Sequence, residues 1–365
     1  MGIWDNNFNY NGQAILFDLL LFLVAIWKYR ALYLGQVKTT GNYLFVYLLL
    51  ALFATYAYAE ADFYHYQYHY DMMKHYNLES LAEPIYFWIT KKLPDNYFLW
   101  RFSIWGTAAL FMLLSLKKLG IYASYAGFLM PIFFWRQFSI TRGGLGFCLI
   151  VFSLVYIFND QEKYFKRFIA IFAALISFFF HESITAFLLM LLLAFVIPLN
   201  SKMLKLSIIL FPFLYGVTMS ITDDLMAFNI LAVGTEDLAE KYIDSQQTEE
   251  NFLGIAFDLL NFSGQLLMLY LAMTFVIKHK RCINRSVIFI AKYGYLLLYV
   301  SFMFYGQDVS SFISSRFLHA STFPLFIVYS YYMQHHEIGK KDRIAMVLLG
   351  LYSIYELVYH MYKWW

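Results

Sequence analysis

Apolar runs of about 16–22 residues recur along the chain and constrain its fold more than any other feature. Runs of that length cross a bilayer as α-helices, because only a helix or a closed barrel satisfies its own backbone in lipid. We therefore predict an all-α polytopic integral membrane protein, a single transmembrane domain over residues 1–365 with about twelve transmembrane helices. The apolar runs lie near residues 13–27, 42–59, 98–116, 119–135, 143–158, 168–180, 183–198, 206–221, 253–277, 286–305, 317–333 and 344–360.

The composition excludes several classes of protein. Only 14% of the residues are charged, against about 25% in soluble domains. The formal net charge is +3 and there is no basic tail, so nucleic acid is not an expected partner. The sequence has no Walker A loop, Rossmann glycine pattern, zinc motif or nucleophile elbow, so we expect no cofactor.

Lysine and arginine predict the orientation in the membrane. If the first loop lies inside and later loops alternate, most of the 27 basic residues fall in inner loops and the acidic residues lean outside. Both termini are then outside. Two outer segments are long: residues 60–101, largely helical and broken at Pro84 and Pro94, and an acidic loop over residues 222–252.

Four arginines lie on the predicted outer side, where positive charge is under-represented: Arg101, Arg136, Arg142 and Arg316. Arg136 and Arg142 lie between two apolar runs, and Arg316 lies at the start of a predicted outer-to-inner span. An arginine facing lipid near the bilayer centre costs about 2.5–3.5 kcal/mol, but it is tolerated beside a water-filled cavity or an anion. Gly143 and Gly144 would begin the next helix with bare backbone N–H groups, which suit an anion.

Two arginines together form a fork for a phosphate or pyrophosphate, with a bidentate geometry that lysine lacks. His181, at the junction of two apolar runs, could hold a phosphate as imidazolium or accept a proton, and Glu182 follows it. The alternative is that each arginine extends to the membrane interface by snorkelling and that His181 lies in a polar turn at the surface. The three residues together favour an anion site.

Asp62, Tyr66 and Tyr70 share one helix face, which fits either an interfacial tyrosine helix or a sugar-binding, acid/base face. Glu83 precedes a helix-starting proline and is followed by Tyr86; it is either a helix-end charge or a general base. His65 and His69 are spaced like metal ligands, but without an obvious third ligand we predict no metal site.

These motifs resemble the EpsG-like branch of the Wzy-type bacterial polysaccharide polymerases. They occur in that family's order across residues 40–330. Members more often carry Pro or Pro-Ser after the histidine, whereas Glu182-Ser183 follows here, which leaves the role of Glu182 open. The resemblance rests on Asp62-x-x-x-Tyr66, Glu83-Pro84-Ile85-Tyr86, Ser139-Ile140-Thr141-Arg142, Phe180-His181-Glu182-Ser183 and Ser315-Arg316-Phe317.

The resemblance implies a multi-pass enzyme of the bacterial inner membrane with a GT-C-like fold. It would move a growing glycan from undecaprenyl pyrophosphate onto a lipid-linked repeat unit at the periplasmic face, without metal and with inversion. A chain-length regulator is a candidate partner. Arg142, Arg316 and Arg136 would bind the pyrophosphate, with Tyr66, Tyr86 and Glu182 at the substrate. The base would come from Glu83, Asp62, His181 or Glu182, and we favour a carboxylate, Glu83 or Asp62, with His181 at the pyrophosphate.

Two other functions fit a chain of this kind. A membrane acyltransferase of surface glycans would use a histidine reached from inside, and His279, His335 and His336 lie in inner loops among lysines. A flippase or transporter of lipid-linked sugars would show internal repeats and polar midplane residues. No repeat is found, and only Asp18 and Glu356 interrupt the apolar midplanes. Polar groups gathered at one face favour an enzyme.

Overall fold

Every regular element that the structure describes is a helix. The computed structural model describes residues 12–37, 43–55, 62–76, 84–126, 141–180, 184–227, 252–304 and 308–363. Within these ranges the all-α prediction is confirmed. The helices are α1 (Gly12–Tyr33), α2 (Tyr43–Thr55), α3 (Asp62–His75), α4 (Pro84–Lys92), α5 (Tyr97–Lys118), α6 (Ala123–Ala126), α7 (Thr141–Ile157), α8 (Tyr164–Ile176), a 3-10 turn (Ser177–Phe180), α9 (Ile184–Val196), α10 (Ser201–Ala227), α11 (Phe252–Lys278), α12 (Arg285–Met303), α13 (Asp308–His335) and α14 (Lys340–Lys363).

Several helices are apolar enough to cross a membrane. In the described ranges four are also long enough by themselves: α5, α12, and the segments Ser201–Thr218 of α10 and Leu260–Lys278 of α11. Shorter apolar segments lie in α2, α7 and α9. The prediction of a polytopic membrane protein is confirmed. The count of about twelve spans and the GT-C likeness stay predictions.

The direction of the central helices follows from contacts along their lengths. Phe111 of α5 and Phe152 of α7 have ring centroids 5.2 Å apart, and Lys118, at the end of α5, pairs with Glu162, just beyond α7. The two helices are therefore parallel. Helix α2 packs antiparallel to α5, and the α12–α13 and α11–α14 pairs also pack closely. These helix directions match the alternation of inner and outer loops that the sequence predicts.

Four connections meet at one end of the bundle: residues 119–122, 158–163, 279–284 and 336–339. We call it the lysine-rich end, because these connections and the helix ends beside them hold Lys117, Lys118, Lys163, Lys166, Lys278, Lys280, Lys340 and Lys341. The Gln334 amide donates to the Gly120 carbonyl at 2.8 Å, and Arg285 pairs with Asp160 at 3.2 Å. Lys118, which bonds the Glu162 carboxylate, holds the pKa of that carboxyl below its ordinary value. The loops predicted to share one side of the membrane thus lie together, although which side they face stays a prediction.

Helices α3 and α4 form the largely helical segment predicted after the second span. Pro84 begins α4, and Pro94 lies between α4 and α5. The last carbonyls of a helix lack partners within it. The Lys74 ammonium donates to the carbonyls of Leu93 at 2.6 Å and Lys91 at 3.2 Å, and the Lys91 ammonium donates back to the Lys74 carbonyl at 3.0 Å. Each helix therefore caps the other.

Helix α10 extends into the segment predicted as the acidic outer loop. We expected it to begin at residue 222, whereas α10 continues to Ala227 and α11 begins at Phe252. Residues 228–251, which carry most of the acidic residues of that loop, lie outside the described residues. Whether they form a soluble loop with a short helix stays a prediction.

Candidate functional site

The 3-10 turn Ser177–Phe180 is the meeting point of four helices. It packs against α4, α7, α8 and α9, and both Ser177 and Phe180 are buried. The sequence continues from Phe180 directly into His181 and Glu182, which lie outside the described residues. Helix α4 follows Glu83, which also lies outside them. The segments that adjoin these three predicted site residues are therefore neighbours.

Three phenylalanines join the helices that carry the other predicted site residues. The ring of Phe187 on α9 lies 4.8 Å from that of Phe147 on α7 and 5.0 Å from that of Phe317 on α13. A second contact from α13, Phe323 to Phe147, measures 5.8 Å. Arg142 precedes Phe147 on α7, and Arg316 directly precedes Phe317. The two arginine-bearing helices therefore pack around the helix that follows His181 and Glu182.

Helix α7 begins at Thr141, two residues before the predicted apolar run, and Arg142 lies in its first turn. Gly144, in the same turn, is buried against α5: a Cβ placed there would lie 2.5 Å from Cη2 of Trp105. The glycine thus permits an approach between α5 and α7 that any side chain would prevent. The Arg142 side chain lies outside the described part of the structure, as does all of Arg136.

Arg316 lies deeper in its helix than predicted. We expected it at the start of a span, but α13 begins at Asp308, more than two turns earlier. The Arg316 side chain is half-buried, and Phe317 beside it is buried. The serine-rich residues before Arg316 lower the window hydropathy yet are helical, and the Ser301 hydroxyl donates to the Ser314 carbonyl at 2.8 Å. That bond joins α12 to α13 at this level.

The predicted tyrosines are buried, and two of them, Tyr70 and Tyr86, pack on Trp100. Tyr86 is 1% exposed with its ring 6.0 Å from the Trp100 ring, and Tyr66 is 6% exposed on α3. Tyr70, one turn along α3, packs 5.3 Å from the same ring and donates to Asp95 Oδ1 at 3.2 Å. Burial, together with Asp95, raises the pKa of Tyr70 above its ordinary value. Asp62 begins α3, but its side chain lies outside the described part.

The comparison with known protein families bears on these segments directly. The EpsG family model matches residues 42–365, which covers every helix from α2 onward. The chain belongs to the EpsG family. No curated protein and no solved structure matches it. The family assigns this multi-pass membrane protein a glycosyltransferase-type role in making polysaccharide, as the sequence resemblance implied.

Arg101 has a structural role in this EpsG-family chain. It is fully buried on α5, and its Nη2 donates to the Ala54 carbonyl at 2.7 Å, at the end of α2. Its Nη1 donates to the Tyr97 hydroxyl at 3.3 Å. A cation at a helix C-terminus meets carbonyls that lack intrahelical partners and is favoured by the helix dipole. Arg101 therefore fixes α2 to α5.

Replacing Arg101 by methionine is expected to lower the free energy of unfolding by about 2–3 kcal/mol, because the buried Ala54 carbonyl loses its donor. Thermal unfolding of the purified variant in detergent measures the loss. Arg285→Met is the matched control, since Arg285 is exposed and its pair with Asp160 is worth little. Equal melting temperatures for Arg101→Met and wild type would contradict the structural role.

One histidine of the EpsG-family chain was missed by the sequence reasoning. His319 lies on α13, three residues after Arg316, and its side chain is half-buried with its Nδ1 atom buried. A histidine one turn from an arginine inside an apolar run was the signal that could have identified it. The predicted span 317–333 contains His319, but the sequence reasoning gave this histidine no role.

The prediction that the chain holds no metal site concerns two histidines of α3. His65 and His69 lie one turn apart on α3, and the His65 side chain lies outside the described part. Among the described residues, no three histidine, cysteine or carboxylate side chains form a group that could hold a metal ion. Metal independence of the EpsG-family chain stays a prediction, to be tested by activity.

Proposed function

We propose that this chain is a polysaccharide polymerase. It would be a metal-independent, inverting glycosyltransferase that moves a growing glycan from undecaprenyl pyrophosphate to a lipid-linked repeat unit, at the outer face of the bacterial inner membrane. The observation that carries the proposal is the packing of α4, α7 and α9 around the 3-10 turn, with α13 joined to them through Phe317. These elements carry or adjoin most of the predicted site residues.

The reaction defines what the site must supply. An acceptor hydroxyl attacks the anomeric carbon, the bond from that carbon to the pyrophosphate oxygen breaks, and the bonding pair leaves with the pyrophosphate. Fixed cations stabilise the charge that develops there, and a planar guanidinium fits it best. Arg142 and Arg316, with Arg136 and His181, fill this role. The hydroxyl proton goes to a base, for which Glu83 and Asp62 are preferred over His181 and Glu182.

The surroundings suit a lipid-borne substrate. Tyr86 packs on Trp100 beside α4, Tyr66 is buried on α3, and large apolar side chains on α8, such as Phe168 and Phe172, are exposed, as lipid-facing side chains would be. The proposed partners are the lipid-linked donor and acceptor and the bilayer itself, together with a chain-length regulator. The proposal involves no cofactor and no nucleic acid.

The acyltransferase alternative depends on histidines at the lysine-rich end. There the His335 ring stacks on Tyr331 at 4.1 Å, and the His336 ring stacks on Tyr332 at 4.8 Å. The His279 ring lies 4.5 Å from that of Phe275. Each of these ring contacts joins residues one turn apart at the end of the same helix, and His336 Nε2 also lies 3.6 Å from Asp342 Oδ2, so an assay rather than these contacts decides between the acyltransferase and the polymerase. The flippase alternative makes no covalent change and is separated from the polymerase by the assay below.

The test uses purified, folded protein and the lipid-linked repeat unit isolated from the producing cells. We expect a ladder of polymer lengths on a gel, unchanged by a chelator such as EDTA. Absence of a ladder from folded wild-type protein would overturn the polymerase, and a flipping assay in proteoliposomes would then test transport. Loss of the ladder with chelator, and its return with a divalent metal, would instead overturn metal independence and direct attention to His65 and His69.

A further inference from the structure

His319 shares a face of α13 with Arg316. Residues three apart on a helix are neighbours, separated by about 4.5 Å along the axis. The His319 side chain is half-buried and its Nδ1 atom is buried. Nε2 is the ring nitrogen farther from the backbone. Ionisable side chains inside the helix bundle of a membrane protein are costly and are commonly functional, so the half-buried position of His319 points to a function.

The contacts of α13 show which helix His319 faces. Phe323, one turn further along the same face, packs against Phe147 of α7. Both helices run toward the lysine-rich end, because Gln334 near the end of α13 bonds Gly120 and α7 leads into Glu162. Gly143 lies one turn before Phe147 on α7, and His319 lies one turn before Phe323 on α13. His319 is therefore at the same level of the bundle as Gly143 and Gly144, in the first turn of α7 just after Arg142.

We propose that His319 and Arg316 together bind the pyrophosphate of the lipid donor, with His319 Nε2 as the deeper contact. This inference rests on the proposed function, because the donor of that reaction supplies the pyrophosphate. The spacing along α13 suits one phosphoryl group for each side chain. Arginine provides a planar pair of donors, and imidazole provides one N–H that gains a charge when protonated. The apolar surroundings of Phe317 and Phe323 strengthen such contacts.

The first test measures binding of undecaprenyl pyrophosphate to the full-length protein in lipid nanodiscs. His319→Ala is expected to bind at least tenfold more weakly than wild type near pH 6.5, since it loses a charge-assisted contact. His335→Ala is the matched control: it is on the same helix, exposed, at the lysine-rich end, and is expected to bind within twofold of wild type. Thermal unfolding of both variants establishes that they are folded.

A second readout separates a ligand from a residue that only supports the helix. An anion favours imidazolium, so the affinity of wild type relative to His319→Ala is expected to rise as pH falls from about 8 to about 5.5. Dividing the affinity of wild type by that of His319→Ala cancels the effect of protonation of the lipid's own phosphates, which is common to both proteins. His319→Gln keeps most of the volume and one N–H donor, so it should recover part of the affinity but none of this pH dependence.

Three results would overturn the inference: equal affinity for wild type and His319→Ala, an equal loss in His335→Ala, or a ratio independent of pH. Because the readout is binding, the result is separable from that for the polymerase. Wild-type protein that binds the lipid with the predicted dependence on His319, yet makes no polymer, contradicts the proposed function alone. Wild-type protein that makes polymer and binds the lipid equally well without His319 contradicts this inference alone.

Discussion

Replacing Arg142 by lysine is expected to slow polymerisation about 100-fold with little loss of stability. Removing one donor from a group that stabilises developing negative charge typically costs about 10²–10³ in rate. Lysine keeps the charge but not the planar fork that contacts two oxygens at once. Arg142 lies in the first turn of α7, where the buried Gly144 packs against Trp105, so we expect the helix to keep its position when lysine replaces arginine. The measurement is the rate of ladder growth at equal amounts of folded protein.

The control for this substitution is Arg285→Lys. Arg285 begins α12 at the lysine-rich end, where its 71% exposed side chain pairs with Asp160 at 3.2 Å. An exposed pair contributes little, and lysine can replace arginine in it, so the rate is expected to stay within twofold of wild type. The loss in Arg142→Lys should appear in kcat, since the charge develops in the transition state. A wild-type kcat in Arg142→Lys would remove Arg142 from the mechanism.

Much of the helical architecture could be predicted because its signals are local. Pro84 and Pro94 mark where α4 begins and where α4 and α5 separate, and apolar length marks spans such as α5 and α12. Helix α13 extends beyond the predicted span 317–333 for a physical reason. Window hydropathy measures transfer into lipid, whereas the turns before Arg316 are held by hydroxyl contacts such as Ser301 to Ser314, which hydropathy does not register.

The sequence identified the segments that contribute to the candidate site, but it could not give the role of each residue in them. Arg101 and Arg316 look alike in the sequence, each near the predicted outer end of an apolar run. Their difference depends on distant residues: the Ala54 carbonyl that receives Arg101, and the Phe187 ring against which Phe317, beside Arg316, packs. Tyr86 likewise gave no sign of burial, because Trp100 closes over it only once α4 packs on α5. Such contacts arise from tertiary packing alone.

Replacing Gly144 by alanine is expected to reduce the polymerisation rate about 100-fold, although the added group is a single methyl. The new Cβ would lie 2.5 Å from Cη2 and 3.1 Å from Cζ3 of Trp105, which is itself buried. Overpacking of this kind costs about 1–3 kcal/mol and is relieved by strained side chains and backbone shifts. Because the Trp105 ring is buried, we expect part of the shift to fall on α7. A movement of about 1 Å at the start of α7 displaces Arg142, and displacement of that size can cost about 100-fold in rate.

A compensating substitution tests this cause. Trp105→Phe removes the outer indole ring that the methyl would meet, so Gly144→Ala with Trp105→Phe is expected to regain most of the rate lost by Gly144→Ala. Gly216→Ala on α10 is the control, because nothing lies within 4 Å of a Cβ there, and its rate should equal that of wild type. If the double variant stays as slow as Gly144→Ala, the clash is not the cause. If Gly144→Ala is as fast as wild type, the approach of α7 to α5 does not position Arg142.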